Sequence, residues 1–119
     1  MKPEIYIVKN AQHDVSVLIV NYNGLQFLDA CLTSVQTAFN RYSHEIVLVD
    51  NASSDGSQRY LRERTDIKYI ESSANLGFTG GNNLAGRHAH GKVLLLLNND
   101  TRIEKNLDSL IDQAMAEPI

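Results

Sequence analysis

Four apolar runs divide the chain, each followed by a cluster of small polar residues. Val15–Val20 (VSVLIV), Glu45–Val49 (EIVLV) and Val93–Leu97 (VLLLL) are nearly continuous in hydrophobicity, the pattern of strands covered on both faces of a parallel sheet. Ile67–Ile70 (IKYI) is shorter and mixed, which suits a strand near an edge. An extra short strand is expected at Ile5–Val8. Between the runs, apolar residues recur at helical spacing. Gln26–Phe39 places Phe27, Leu28, Cys31, Leu32 and Val35 on one side. Ser54–Arg64 opens on Ser-Ser-Asp capping chemistry and turns Tyr60 and Leu61 inward. Thr79–Ala89 is a weaker helix, diluted by Gly80, Gly81 and Gly86. Leu107–Met115 carries Leu107, Leu110, Ile111, Ala114 and Met115 on one face. Strand and helix thus alternate four times over. The expected fold class is α/β: a Rossmann-like open parallel sheet of about four strands, built by right-handed crossovers with helices on both faces.

Composition narrows the function without naming it. The 119 residues fit one domain, with 43% hydrophobic and 21% charged residues, ordinary for a globular protein. The formal charge of −3 argues against a nucleic-acid partner, which would need a clustered basic face. Arg59, Arg62 and Arg64 read as one solvated helix face. Cys31 is the single cysteine, so there is neither a disulfide framework nor a thiolate zinc site, and it is expected to be buried. No secretory leader is visible and Val93–Leu97 is too short to span a bilayer, which points to a reducing, cytoplasmic setting. Peripheral attachment at the inner face of a membrane stays compatible with that. The ending Ala116-Glu117-Pro118-Ile119 reads as the start of a continuing chain rather than a polar tail.

In open parallel sheets, ligands sit beyond the carboxyl ends of the strands. There the chain places Asn21-Tyr22-Asn23-Gly24, then Asp50-Asn51-Ala52-Ser53, then Glu71–Asn75, then Asn98-Asn99-Asp100. Each cluster singly reads as turn and cap chemistry. Two acids closing successive buried strands on one rim are harder to explain as turns, because a buried carboxylate needs donors or a cation. Asp50 could accept a donor from a base, and Asp100 could hold a divalent cation. Neither the dinucleotide G-x-G-x-x-G nor the P-loop pattern is present, which disfavours a dinucleotide dehydrogenase and a P-loop nucleotidase. With few basic residues at the rim, Mg²⁺ or Mn²⁺ is the natural way to neutralise a diphosphate, with Asp100 and Asn98 supplying oxygens. Tyr22 suits stacking on a base and lining the core edge equally. His88 and His90 form a His-x-His pair with no third ligand nearby, read as a solvated helix end.

VSVLIVNYNG, EIVLVDNASSDGS, NLGFTGGNN and GKVLLLLNNDT, in this order, resemble the amino-terminal half of family-2 glycosyltransferases of the glycosyltransferase A fold, over about Asp14 to Ile103. The Asn-Asn-Asp version is most similar to rhamnosyltransferase-like members that build bacterial cell-surface polysaccharides. The resemblance implies an inverting transfer from a nucleotide-diphosphate sugar to a saccharide or lipid-linked saccharide acceptor. It places Asn21, Tyr22 and Asn23 at the nucleoside pocket, and Asp50 on the pyrimidine base with Asn51 and Ser53 beside it. Asn75, Gly77 and Asn83 fall beneath the ribose and diphosphate, Asn99 joins the nucleotide-binding set, and Asp100 coordinates the metal. Two departures stand out: Asn98 replaces the first acid of the family's D-x-D motif, and Asn82 stands where many relatives carry Arg. No catalytic general base is found, and it is expected beyond Ile119. Residues 1–119 are therefore expected to be a nucleotide-sugar-binding part that binds nucleotide only, with apolar surface left over for self-association. A non-catalytic nucleotide-binding module, a sugar nucleotidyltransferase and a domain whose polar rim is only turns are the rival readings.

Overall fold

The computed structural model describes residues 4–7 and 12–116. Its middle is β2 (His13–Asn21), whose residues from Val15 to Ile19 are all buried. A strand that apolar on both faces needs partners on both sides and helices above and below. Both partners are parallel: β3 (His44–Asn51) on one side and β5 (Gly91–Asn98) on the other. β4 (Lys68–Ser72) adds in parallel outside β3, and β1 (Glu4–Ile7) adds outside β5, giving the order β1-β5-β2-β3-β4. The short mixed strand does lie at an edge.

The sheet departs from four parallel strands in one respect. β1 is a fifth strand, antiparallel to β5 with Glu4 opposite Leu96 and Ile7 opposite Val93. The expected strand at Ile5–Val8 starts one residue earlier, and Val8 falls outside the described residues.

Four helices cover the sheet: α1 (Leu25–Gln36), α2 (Ser57–Arg62), α3 (Gly77–Arg87) and α4 (Asp108–Ala116). The larger core layer joins Val15, Val17 and Ile19 to Leu28, Leu32 and Val35 of α1, Leu61 of α2 and Ile111 of α4. Each such side chain contributes about 1.5–3 kcal/mol through burial. The opposite layer is thin: Leu18, Val47 and Val49 meet Ala85 of α3. Glycine makes that contact close. A Cβ at Gly81 would lie 2.8 Å from Cγ1 of Val20, so α3 could not seat there with a larger residue.

Two apolar expectations fail at the edges of this packing. Phe27 is exposed, because the first turn of α1 stands at the rim where the sheet ends beneath it. Leu94 and Leu96 are only half-buried, so β5 alternates rather than staying buried throughout; they face the layer that α3 covers incompletely. Arg64 lies beyond α2 and is largely covered, pairing with Asp66 at 2.5 Å and bonding Tyr60, so it is not part of a solvated helix face.

Candidate functional site

The three central strands deliver their polar ends to one rim. Side chains alternate across a sheet, so Asn21 of β2 and Asp50 of β3, opposite each other in the register, point to the same face. Asp50 has no exposed surface. Its Oδ1 accepts from Asn21 Nδ2 at 2.9 Å and from Ser53 Oγ at 2.7 Å. Its Oδ2 accepts from the Ser53 backbone N–H at 2.9 Å and from Gln58 Nε2 at 3.1 Å. Ser53 returns to Asp50 because Ala52 holds φ +62°, a left-handed conformation that costs a residue with a Cβ about 1 kcal/mol.

The loop after β2 is tied to this turn. Asn23, at φ +50°, donates its N–H to Ser53 Oγ at 2.8 Å and accepts from the Ser54 N–H at 2.8 Å. Asp55 bridges the starts of α1 and α2, accepting from the Leu25 N–H at 3.0 Å and from Ser57 Oγ at 2.5 Å. Its burial raises its pKa, but the bonds from Ser57 and Leu25 outweigh that and leave it lowered.

On the other flank of β2, Asn99 donates to Asn21 Oδ1 at 2.8 Å. A chain of side-chain bonds therefore runs Asn99–Asn21–Asp50 across β5, β2 and β3. Gly24 lies against it: a Cβ there would fall 2.1 Å from Asn99 Nδ2 and 2.6 Å from Asn21 Oδ1. Asn99 and Asp100 are the central residues of a turn closed by the Thr101 N–H on the Asn98 carbonyl at 3.1 Å. This turn holds Asn98 and Asp100 out in solvent, where neither side chain has a hydrogen-bond or ion-pair partner among the described residues. The two acids thus flank β2 on one rim, at the ends of the strands on either side of it. Cys31 lies beneath this turn, 3.9 Å from the Asn98 carbonyl. Burial first, then the nearby Asp100 charge, push its thiol up to about 11, so it stays protonated.

Asn51 points to the opposite face. It accepts from the Leu76 N–H at 3.3 Å and donates to the Gly77 carbonyl at 2.9 Å, clamping the start of α3. Gly77 has φ +74°, and its N–H donates to Asn75 Oδ1 at 2.9 Å. Asn83 lies further along α3. It lines an open cavity of about 680 Å³ over the thin layer, with Leu18, Phe78, Asn82, Leu94 and Leu96. Asn82 is 8% exposed, and its Oδ1 is buried with no partner among the described residues. Tyr22 is 53% exposed at the rim, free to stack rather than serving the core. His88 ends α3 and His90 precedes β5, both at the end of the sheet away from this rim.

Gln58 was not among the sequence candidates. A glutamine on a short helix carries no pattern of its own, and its bond to Asp50 shows only in three dimensions. No group of three or more His, Cys, Asp or Glu residues suited to a metal occurs among the described residues. A divalent ion at Asp100 and Asn98 would draw its remaining ligands from water and from a bound phosphate, as such ions commonly do. The unpartnered oxygens of these two side chains fit that role.

An open α/β sheet whose polar groups converge at the carboxyl ends of its central strands is a ligand-binding architecture, most often for nucleotides. The pattern of glycosyl transferase family 2 matches residues 16–118, and the chain belongs to that family. It is 34% identical over 98 residues to a low-salt glycan biosynthesis hexosyltransferase of Haloferax volcanii, covering 77% of this chain and 29% of that protein. The fold superposes on S. aureus TarS 1-349 in complex with UDP with a TM-score of 0.69, at 27% identity over 86% of this chain and 31% of that one. A mannosyltransferase from Pyrobaculum calidifontis shares the fold, with a TM-score of 0.73 at 22% identity, covering 99% of this chain and 36% of the other. The chain spans less than half the length of the curated relatives it matches. No helix among the described residues is long and apolar enough to cross a membrane.

Proposed function

We propose that residues 1–119 form the donor-binding part of an inverting glycosyltransferase that moves a sugar from a nucleoside-diphosphate sugar to an acceptor hydroxyl. The observation that carries this reading is the rim itself. A buried, donor-saturated acid (Asp50) and an unpartnered exposed acid (Asp100) are joined through Asn21 and Asn99. TarS has been solved with UDP and with UDP-GlcNAc, which supports a nucleoside-diphosphate donor at the same rim.

In this reading Asp50 meets the base, Tyr22 stacks on it, and Asn21, Asn23 and Ser53 hold that pocket in shape. Asn51, Asn75 and Gly77 set the start of α3 beneath the ribose and diphosphate, and Asn83 lies further along the same helix. Asp100, with Asn98, holds Mg²⁺ or Mn²⁺. The ion supplies charge neutralisation to the leaving diphosphate. The general base comes from outside these residues, since it must reach the acceptor hydroxyl within hydrogen-bonding distance and the unpartnered rim acid among the described residues, Asp100, is taken by the metal in this reading. The acceptor is a saccharide or lipid-linked saccharide of a surface polysaccharide pathway, met at the cytoplasmic face of a membrane. The exposed apolar residues Tyr22, Leu25, Leu76 and Phe78 leave room for self-association or for docking of further polypeptide.

Calorimetry with UDP, with and without Mn²⁺, tests the reading. Binding should strengthen about tenfold or more with Mn²⁺, and Asp100→Ala should remove that gain while sparing metal-independent binding. Tight binding indifferent to both Mn²⁺ and Asp100→Ala would instead identify a non-catalytic nucleotide module. Measurable sugar transfer by the purified chain would refute the assignment of the base elsewhere.

A further inference from the structure

Asp50 is closed to any ligand as it stands, and the way it is closed identifies what must move. A carboxylate offers about four lone-pair positions, and here all are occupied by Asn21 Nδ2, Ser53 Oγ, the Ser53 N–H and Gln58 Nε2. Three of those donors are fixed. The Asn21 amide is buried and held from its other end by Asn99. Ser53 contributes a backbone group, and a hydroxyl that itself accepts from the Asn23 N–H. Gln58 differs in each respect. Its bond is the longest of the four at 3.1 Å, its side chain is only half-buried, and its Oε1 has no partner among the described residues.

We propose that Gln58 is the gate of the base site. Its carboxamide keeps the one exchangeable lone pair of Asp50 satisfied until a nucleobase N–H takes its place. This rests on the donor-binding reading above. The exchange swaps one hydrogen bond to the carboxylate for another, so opening leaves no buried charge uncompensated. It also sets a chemical requirement. The incoming edge must present an N–H donor, which uracil and guanine offer as a ring N–H at N3 and N1, while adenine and cytosine offer only exocyclic amino groups beside a ring-nitrogen acceptor.

The intact 119-residue chain, with UDP as the probe, provides the test. In nitrogen-edited NMR spectra the Gln58 side-chain amide pair should shift on UDP saturation and exchange freely with solvent, while the Asn21 and Asn99 pairs keep their protection. Gln58→Met keeps the length and removes the donor; Gln58→Ala removes both. Each should bind UDP about fivefold more tightly by calorimetry, since no bond to Asp50 has to be given up. UDP methylated at N3 should show no such gain. Melting curves confirm that both variants are folded, and the NMR readout on the unaltered chain stands if either is not. An unmoved Gln58 amide at UDP saturation, or variants whose affinity is unchanged, lower, or raised equally for N3-methyl UDP, overturns the gate while leaving nucleotide binding intact. Failure of the unaltered chain and both variants to bind UDP overturns the donor-site reading and the gate with it.

Discussion

The two ends of the parallel sheet use the same device to different ends. At the amino end, Glu45 of β3 accepts from Ser16 Oγ of β2 at 2.6 Å and from the His90 N–H ahead of β5 at 2.6 Å. Lys68 of β4 approaches it to 3.5 Å and also bonds the His88 carbonyl at 2.8 Å. Ser16 Oγ in turn accepts from the Gly91 N–H at 2.7 Å, where a Cβ on residue 91 would fall 2.3 Å from the Ser16 backbone nitrogen. Four strands are pinned, and every group named finds its partner inside the knot. At the carboxyl end, Asp50 is pinned as thoroughly, yet Asn98, Asp100 and Tyr22 remain outside the network. The difference separates polar groups spent within the fold from polar groups left unpartnered. Hydrogen bonding alone does not separate the two ends, since fully buried Asp50 and partly buried Glu45 both have their oxygens occupied. Unspent neighbours do.

Substitutions at the two ends should separate stability from binding, and the largest effect belongs to Asp50. Asp50→Ala strands three buried donors and should cost about 3–5 kcal/mol in denaturant unfolding while abolishing UDP binding. Glu45→Ala should cost about 2–4 kcal/mol, less because Lys68 can turn to water, and any folded fraction should bind UDP normally. A Glu45 variant that loses binding in proportion to Asp50→Ala would erase the contrast between the two ends. Gly24→Ala should cost about 1–3 kcal/mol by overpacking against Asn99 and Asn21, and should weaken binding because it pries the rim apart. Asp100→Ala should leave stability within about 0.5 kcal/mol of the parent, being exposed and unpartnered, and should cost only the metal-dependent share of binding.

Acid sharpens the same contrast. Burial raises the pKa of Glu45, but the bonds from Ser16 and His90 and the charge of Lys68 outweigh it and leave the group lowered. A depressed carboxyl stabilises fully above its unfolded value of about 4.3, and that contribution is lost as pH falls through the folded value. Asp66 behaves alike: its pKa is held down first by Arg64, and the bond from Gln36 adds to this against the effect of burial. Unfolding followed by circular dichroism should therefore show stability flat above about pH 5 and falling below about pH 4. Glu45→Gln should blunt that fall.

Much of this was legible in the residues. Continuous apolar runs name the central strands because both faces of β2 and β3 are covered, and the polar tail of each run marks the rim. Strand direction at the edge was not, since a four-residue strand such as β1 bears no mark of parallel or antiparallel pairing. The helical repeat of α1 placed Leu28, Cys31, Leu32 and Val35 correctly and failed at Phe27, where periodicity continues but the sheet beneath does not. The clamp at the amino end had one visible sign, the lone polar Ser16 inside an apolar run, which becomes meaningful only with Glu45 opposite it in register. Asn83, which the resemblance sets beneath the ribose and diphosphate, lines the open cavity over the thin layer.

The Asn21–Asn99 bond joins residues 78 positions apart, whereas Asp50 and Ser53 are separated by three. Closing a long loop is entropically costly and slow compared with forming a local turn. During synthesis the Asp50–Ser53 turn can take shape as soon as β2, α1 and β3 have emerged. The Asn99–Asp100 corner must wait for β5 to insert beside β2. A chain stalled or nicked between α3 and β5 would keep a native-like Asp50 loop and lack the Asn99–Asp100 turn entirely. The bond is therefore a marker of completion, and its protection from hydrogen exchange should appear last in refolding.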